Sequence, residues 1–114
     1  MNKIKNISID DFPRDVLERS NKTPVLVDFW AEWCAPCRVI APVLQAVVEA
    51  LNGQVELVKL EVDEGENMKL AGKYSVRGFP TIILFQDEIE LARFSSARSQ
   101  QWVHEFLNEH LPLS

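Results

Sequence analysis

The chain has 114 residues, 46% of them hydrophobic and 25% charged, with a net charge of −5 at pH 7. That length fits one domain spanning residues 1–114, and a domain of this size buries roughly two thirds of its unfolded surface, enough for one core without disulfide staples. The acidic balance argues against nucleic acid or an anionic membrane as partner, and no stretch approaches the ~20 apolar residues that span a bilayer.

The opening segment Met1-Asn2-Lys3-Ile4-Lys5-Asn6 has two lysines but no apolar run behind them, so a cleaved leader is not expected. The expected setting is then the reducing cytoplasm, where closely spaced cysteines are more often catalytic or metal-binding than structural. Ile4, Ile7 and Ile9 predict a weak first strand. Ser8 with Asp11 predicts a capping box and a short helix from Asp10 to Arg19. Asn21-Lys22-Thr23-Pro24 is a turn-rich connection. Val25 to Trp30 is an apolar run broken only by Asp28, the pattern of a central strand buried on both faces.

A helix is predicted from near Pro36 to Leu51, with a kink at Pro42 and an end at Asn52-Gly53. Val55 to Val62 predicts the next strand, Glu66 to Tyr74 a short helix, and Thr81 to Phe85 a third apolar strand. A turn at Gln86-Asp87-Glu88 leads to an edge strand from Ile89 to Phe94. Ser99 caps a last helix whose apolar residues Trp102, Val103, Phe106 and Leu107 recur at three- and four-residue steps. The order of elements predicts an α/β domain, a mixed sheet with helices on both faces.

The only two cysteines, Cys34 and Cys37, lie three apart at the strand-to-helix junction, in Trp33-Cys34-Ala35-Pro36-Cys37-Arg38. Thiol–disulfide exchange needs a thiolate, and a helix N-terminus supplies unpaired N–H groups and a positive dipole end to stabilise one. Residues three apart on a helix have Cβ atoms ~5–6 Å apart, close enough for Cys37 to close a ring with Cys34. Cys34 is therefore expected to attack and Cys37 to resolve. Zinc is a weak alternative, because a structural site wants four close ligands. There is no second C-x-x-C, and His104 and His110 lie far along the chain. No metal is expected.

Taken alone, Asp28 could be a buried acid of raised pKa or a strand-edge acid facing water, and Lys59 a partner for it or a lysine snorkelling to solvent. Phe79-Pro80 could open a strand with an ordinary trans bond. Val27-Asp28-Phe29-Trp30-Ala31-Glu32-Trp33-Cys34, Pro36-Cys37, Ala41-Pro42, Lys59-Leu60, Val62-Asp63, and Tyr74 followed by Val76-Arg77-Gly78-Phe79-Pro80-Thr81 resemble the thioredoxin family, in that order and along nearly the whole chain.

The resemblance implies a five-stranded mixed sheet of the thioredoxin fold and a dithiol electron carrier that reduces protein disulfides without a bound cofactor. It implies that Asp28 handles the proton of Cys37, that Lys59 pairs with Asp28, and that the bond before Pro80 is cis. It also implies substrate contacts at Trp33, Ala35, Pro36, Gly78, Phe79, Pro80, Thr81 and Ser96. The implied partners are disulfide-bearing proteins and a thioredoxin reductase or similar donor, acting on a monomer.

Three positions depart from the family pattern. Ala35 stands for the glycine usual between the cysteines. Glu88 stands for a turn glycine, so another turn type is expected at the hairpin. Ser96 stands for the glycine that opens the docking surface, which leaves a second reading, a binding or holdase module on the same scaffold with altered reductase docking. An oxidant or isomerase role would need an oxidising compartment.

Overall fold

The computed structural model describes residues 4–114, so Met1, Asn2 and Lys3 of the segment inspected for a leader lie outside the described residues. β2 (Val25–Trp30) is the centre of the molecule. It pairs in parallel with β3 (Glu56–Glu61), which pairs in parallel with the short β1 (Ile4–Asn6). On its other side β2 pairs antiparallel with β4 (Thr81–Gln86), which continues antiparallel into β5 (Ile89–Ser95). The five-stranded order is β1-β3-β2-β4-β5. This is the mixed sheet expected, with the run Val25 to Phe29 buried throughout.

The two-residue period of a strand divides β2 between two cores. Leu26 joins Leu57, Ile82 and Leu84 beneath α1 (Ala35–Ala50) and α3 (Gln100–His110), which contribute Ile40, Leu44, Val48, Val103 and Leu107. Val27 and Phe29 join Leu60, Ile83 and Phe85 on the opposite face, covered by Phe12, Val16 and Leu70. Each such side chain contributes about 1.5–3 kcal/mol when fully buried, so both faces bind the sheet firmly. Asp28 lies two residues from Leu26 and therefore faces the α1–α3 side.

Several boundaries differ from the sequence expectation. β1 stops at Asn6, and Ile9 belongs to a tight turn, although the Ile7 amide still donates to the Lys59 carbonyl (2.9 Å). The expected α-helix over Asp10 to Arg19 is instead a 3₁₀ turn (Ile9–Asp11), a π-helical stretch (Pro13–Glu18) and a second 3₁₀ turn (Arg19–Asn21). Phe12, Val16 and Ser20 are all buried. A strict repeat of 3.6 residues drifts off a four-residue spacing, and a wide turn brings it back.

α1 continues through Pro42 and ends as expected, with Asn52 at φ 50° and Gly53 at φ 87°. α2 (Met68–Lys73) is shorter at both ends than predicted. Ser99 caps α3 by accepting the Trp102 N–H (3.1 Å).

The hairpin corrects the expectation of another turn type. Asp87 (φ 54°) and Glu88 (φ 67°) are both left-handed, the two-residue turn that matches strand twist and usually wants glycine. Here it is braced from outside. The Ser20 carbonyl accepts the Asp87 N–H (3.0 Å), and the Ser20 hydroxyl oxygen accepts the Glu88 N–H (2.8 Å). Asn21 Nδ2 donates to the Glu88 carboxylate (2.7 Å).

Candidate active site

β2 and β3 end, and β4 begins, at one end of the sheet, because β4 runs against the other two. β5 also ends there. The connections leaving this end carry the predicted residues. Cys34 closes the turn after β2 by donating its N–H to the Ala31 carbonyl (3.1 Å), then becomes the N-cap of α1 with extended backbone. Ala35 and Pro36 fill the first two helical positions, where a missing proline N–H would have no helical acceptor. Both are exposed. The helix thus starts one residue earlier than predicted.

Cys34 Sγ accepts the Cys37 N–H (3.2 Å), the role an Ser or Asp side chain plays at other helix starts. The two cysteines form a disulfide with Cα atoms 5.3 Å apart, a span ordinary for such a bond. Both are buried, Cys34 at 4% and Cys37 at 2% exposure.

Asp28 is 1% exposed, and neither carboxylate oxygen has a hydrogen-bond partner among the described residues. Burial pushes its carboxyl up to about 7, opposed by the charge of Lys59, its neighbour in register on β3. Lys59 makes no direct ion pair with Asp28 among the described residues; its Nζ lies over the Trp30 ring, 4.8 Å from the centroid. A cleft lined by Asn6, Ile7, Trp30, Lys59, Glu61 and Glu64 opens at this end.

The α2–β4 connection supplies the opposite rim. The Phe79-Pro80 bond is cis. Thr81 Oγ1 donates to the Gly78 carbonyl (2.6 Å), tightening the loop. A Cβ added at Gly78 would meet nothing within 4 Å, so the space above its backbone is open. Trp33, 67% exposed, meets Phe79 edge-on at 5.9 Å, which brings this loop to the cysteine tip. Ser96 donates its N–H to the Pro80 carbonyl (3.3 Å) at φ 75°. The glycine missing there is thus missing from a left-handed position.

Asp63 is absent from the candidates read off the sequence. It accepts the Trp33 indole N–H (2.7 Å). The available signal was an acid directly after a strand, at the end where an exposed tryptophan needs an acceptor.

Opening and closing the Cys34–Cys37 bond is the chemistry this sheet end supports, and by class the chain is a dithiol–disulfide oxidoreductase. A family model described as Thioredoxin matches residues 3–109. "Thioredoxin" of Streptomyces clavuligerus is 51% identical over 83 residues, 73% of each chain. "Thioredoxin" of Pseudomonas aeruginosa is 42% identical over 108 residues, 95% of this chain and 96% of its own. "Thioredoxin" of Buchnera aphidicola from Schizaphis graminum is 38% identical over 111 residues, 97% and 99% of the two chains. The chain belongs to the thioredoxin family.

Membership implies disulfide-bearing substrates and a reductase in general terms, with the disulfide itself as redox group. Among the described residues no helix is long and apolar enough to cross a membrane, and no group of three or more His, Cys, Asp or Glu could hold a metal ion.

Proposed function

We propose that this chain reduces disulfides of protein substrates in the cytoplasm as a monomer and is recharged by a thioredoxin reductase or a similar flavoprotein. The Cys34 thiolate attacks one substrate sulfur, forming a mixed disulfide and expelling the other sulfur as a thiolate that takes up a proton. Cys37 then gives its proton to the Asp28 carboxylate, through an intervening water, and attacks Cys34 Sγ. The mixed disulfide breaks, the second substrate sulfur leaves and takes the proton, and the Cys34–Cys37 bond closes. Two electrons have passed to the substrate, and the reductase returns them.

The observation that carries this reading is Cys34 as a helix cap whose sulfur accepts a helical N–H (3.2 Å). The same donor and the helix dipole stabilise the thiolate once the bond is opened. Asp28 suits its role because an acid titrating near 7 can accept and return a proton at neutral pH. Lys59, beside it in register, favours the ionised form and so tunes that exchange. Trp33, Ala35, Pro36, Gly78, Phe79, Pro80, Thr81 and Ser96 form the substrate-contacting rim. The open backbone at Gly78 lets an extended chain lie alongside.

Reduction of insulin by dithiothreitol tests the reading. The wild type should accelerate it, Cys34→Ser should return it to background, and Cys37→Ser should trap a mixed disulfide. Asp28→Asn should slow release from that mixed disulfide about tenfold or more. No acceleration by the wild type would leave a binding module instead. That second reading draws on Ser96, a residue with a side chain at a left-handed position, whose backbone N–H meets the Pro80 carbonyl. If reductase docking is altered there, Ser96→Gly should raise coupled NADPH turnover with a bacterial thioredoxin reductase, and unchanged turnover would remove that reading.

A further inference from the structure

We propose that Asp63 is a positioning residue for substrate docking, acting through Trp33; the inference rests on the reading that Cys34 reduces protein disulfides. Trp33 precedes the attacking cysteine and is 67% exposed, so packing alone does not fix its ring. Among the described residues two contacts hold it, the indole N–H to Asp63 Oδ2 (2.7 Å) and the edge-on meeting with Phe79 (5.9 Å, 83° between planes). The hydrogen bond gains little stability, because an exposed indole N–H is satisfied equally by water. Its effect is on direction. It chooses one orientation for a large apolar plate standing at the rim of the sulfur site.

Asp63 is well anchored for that task. The Val62 N–H before it donates to the Trp30 carbonyl (2.9 Å), and the Glu64 N–H after it donates to the Glu61 carbonyl (3.2 Å). The backbone that carries the carboxylate is therefore tied to the end of β2, three residues before Trp33. Three separate connections, after β2, after β3 and before β4, are thereby joined as Asp63–Trp33–Phe79. A substrate chain seated beside Pro80 meets a wall already oriented, so the entropy of ordering that ring is not charged to docking.

The consequence is selective. A protein disulfide whose chain spans the rim depends on the ring's orientation. A small soluble disulfide, which needs only the Cys34 sulfur, does not. Having to order one large side chain on docking, instead of beforehand, corresponds to about a three- to tenfold change in affinity.

The test compares Asp63→Leu, which removes the acceptor, with Asp63→Asn, which keeps a carbonyl oxygen in place. The Trp33 indole N–H resonance, assigned by its absence in Trp33→Phe, should move in Asp63→Leu and stay near its wild-type position in Asp63→Asn. Asp63→Leu should raise KM for insulin about three- to tenfold with kcat little changed, and leave the rate with cystine unaltered. Asp63→Asn should behave as wild type within about twofold. In a Trp33→Phe background, Asp63→Leu should add nothing further. Three results would overturn the proposal: an unchanged insulin KM in Asp63→Leu, an equal loss in Asp63→Asn, or an additive loss in the double variant. Absence of any Cys34-dependent reduction of cystine would instead sink the underlying reading, so the two failures are told apart.

Discussion

Asn67 and Asp28 are equally hidden, each 1% exposed, yet they are treated in opposite ways. Asn67 sits where the first helical segment meets α2. Its Oδ1 accepts the Ile9 N–H (2.7 Å), and its Nδ2 donates to the Glu61 carbonyl (2.9 Å). Ser20, at the opposite end of the sheet beside the β4–β5 hairpin, is likewise satisfied, donating to the Leu17 carbonyl (2.7 Å) while accepting from Glu88. Asp28, at the sulfur end, has neither oxygen paired among the described residues. Buried polar groups normally find partners, and one left without them is destabilising. The scaffold stitches Asn67 and Ser20 into hydrogen bonds, whereas the end of β2 leaves both the Asp28 carboxyl and the Trp30 indole N–H without partners among the described residues.

Asp28→Ala should show the largest departure. A free aspartate ionises near 3.9, while burial lifts this one to about 7. Between those values the native state holds a proton the unfolded chain has lost, so stability falls as pH rises from about 4 to about 7 and then levels. The loss is on the order of 4 kcal/mol. Urea unfolding of Asp28→Ala should lack this slope, so that its stability relative to the wild type improves as pH rises from about 4 to 8. A slope that survives the substitution would break the contrast.

Asn67→Ala should cost about 1–3 kcal/mol at every pH, because the half-buried Ile9 N–H and Glu61 carbonyl lose their shared partner together. Ser20→Ala should cost about 1–2 kcal/mol, the hairpin losing one of its braces. The smallest effect has the other sign. Ser96→Gly should gain about 1 kcal/mol, since its φ of 75° is costly for a residue with a Cβ. Thermal melts of these variants would sharpen the comparison, and a destabilised Ser96→Gly would count against it.

The parts legible in sequence are those written in local pattern. β2 announced itself by an apolar run broken only at Asp28, α3 by its serine cap and stepped apolar residues, and the redox pair by its spacing together with its place at a strand-to-helix junction. Asp28 was ambiguous, because pattern does not say how deep an acid sits. The π-helical stretch escaped because over a dozen residues a repeat of four cannot be told from 3.6. The turn at Glu88 escaped because its brace is Ser20, 68 positions away, and Asp63 escaped because Trp33 lies 30 positions from it. Local composition carries no record of such pairings.

Pro42, within α1, cannot donate to the carbonyl of Arg38, so the rung that would cross this part of the helix is missing. Below it Leu44, Val47 and Val48 are locked into the core; above it stands the turn bearing both sulfurs. With that rung missing, the sulfur-bearing turn is tied to the rest of α1 by one backbone bond fewer, and Ile40, fully buried, is the side chain that seats it in the core.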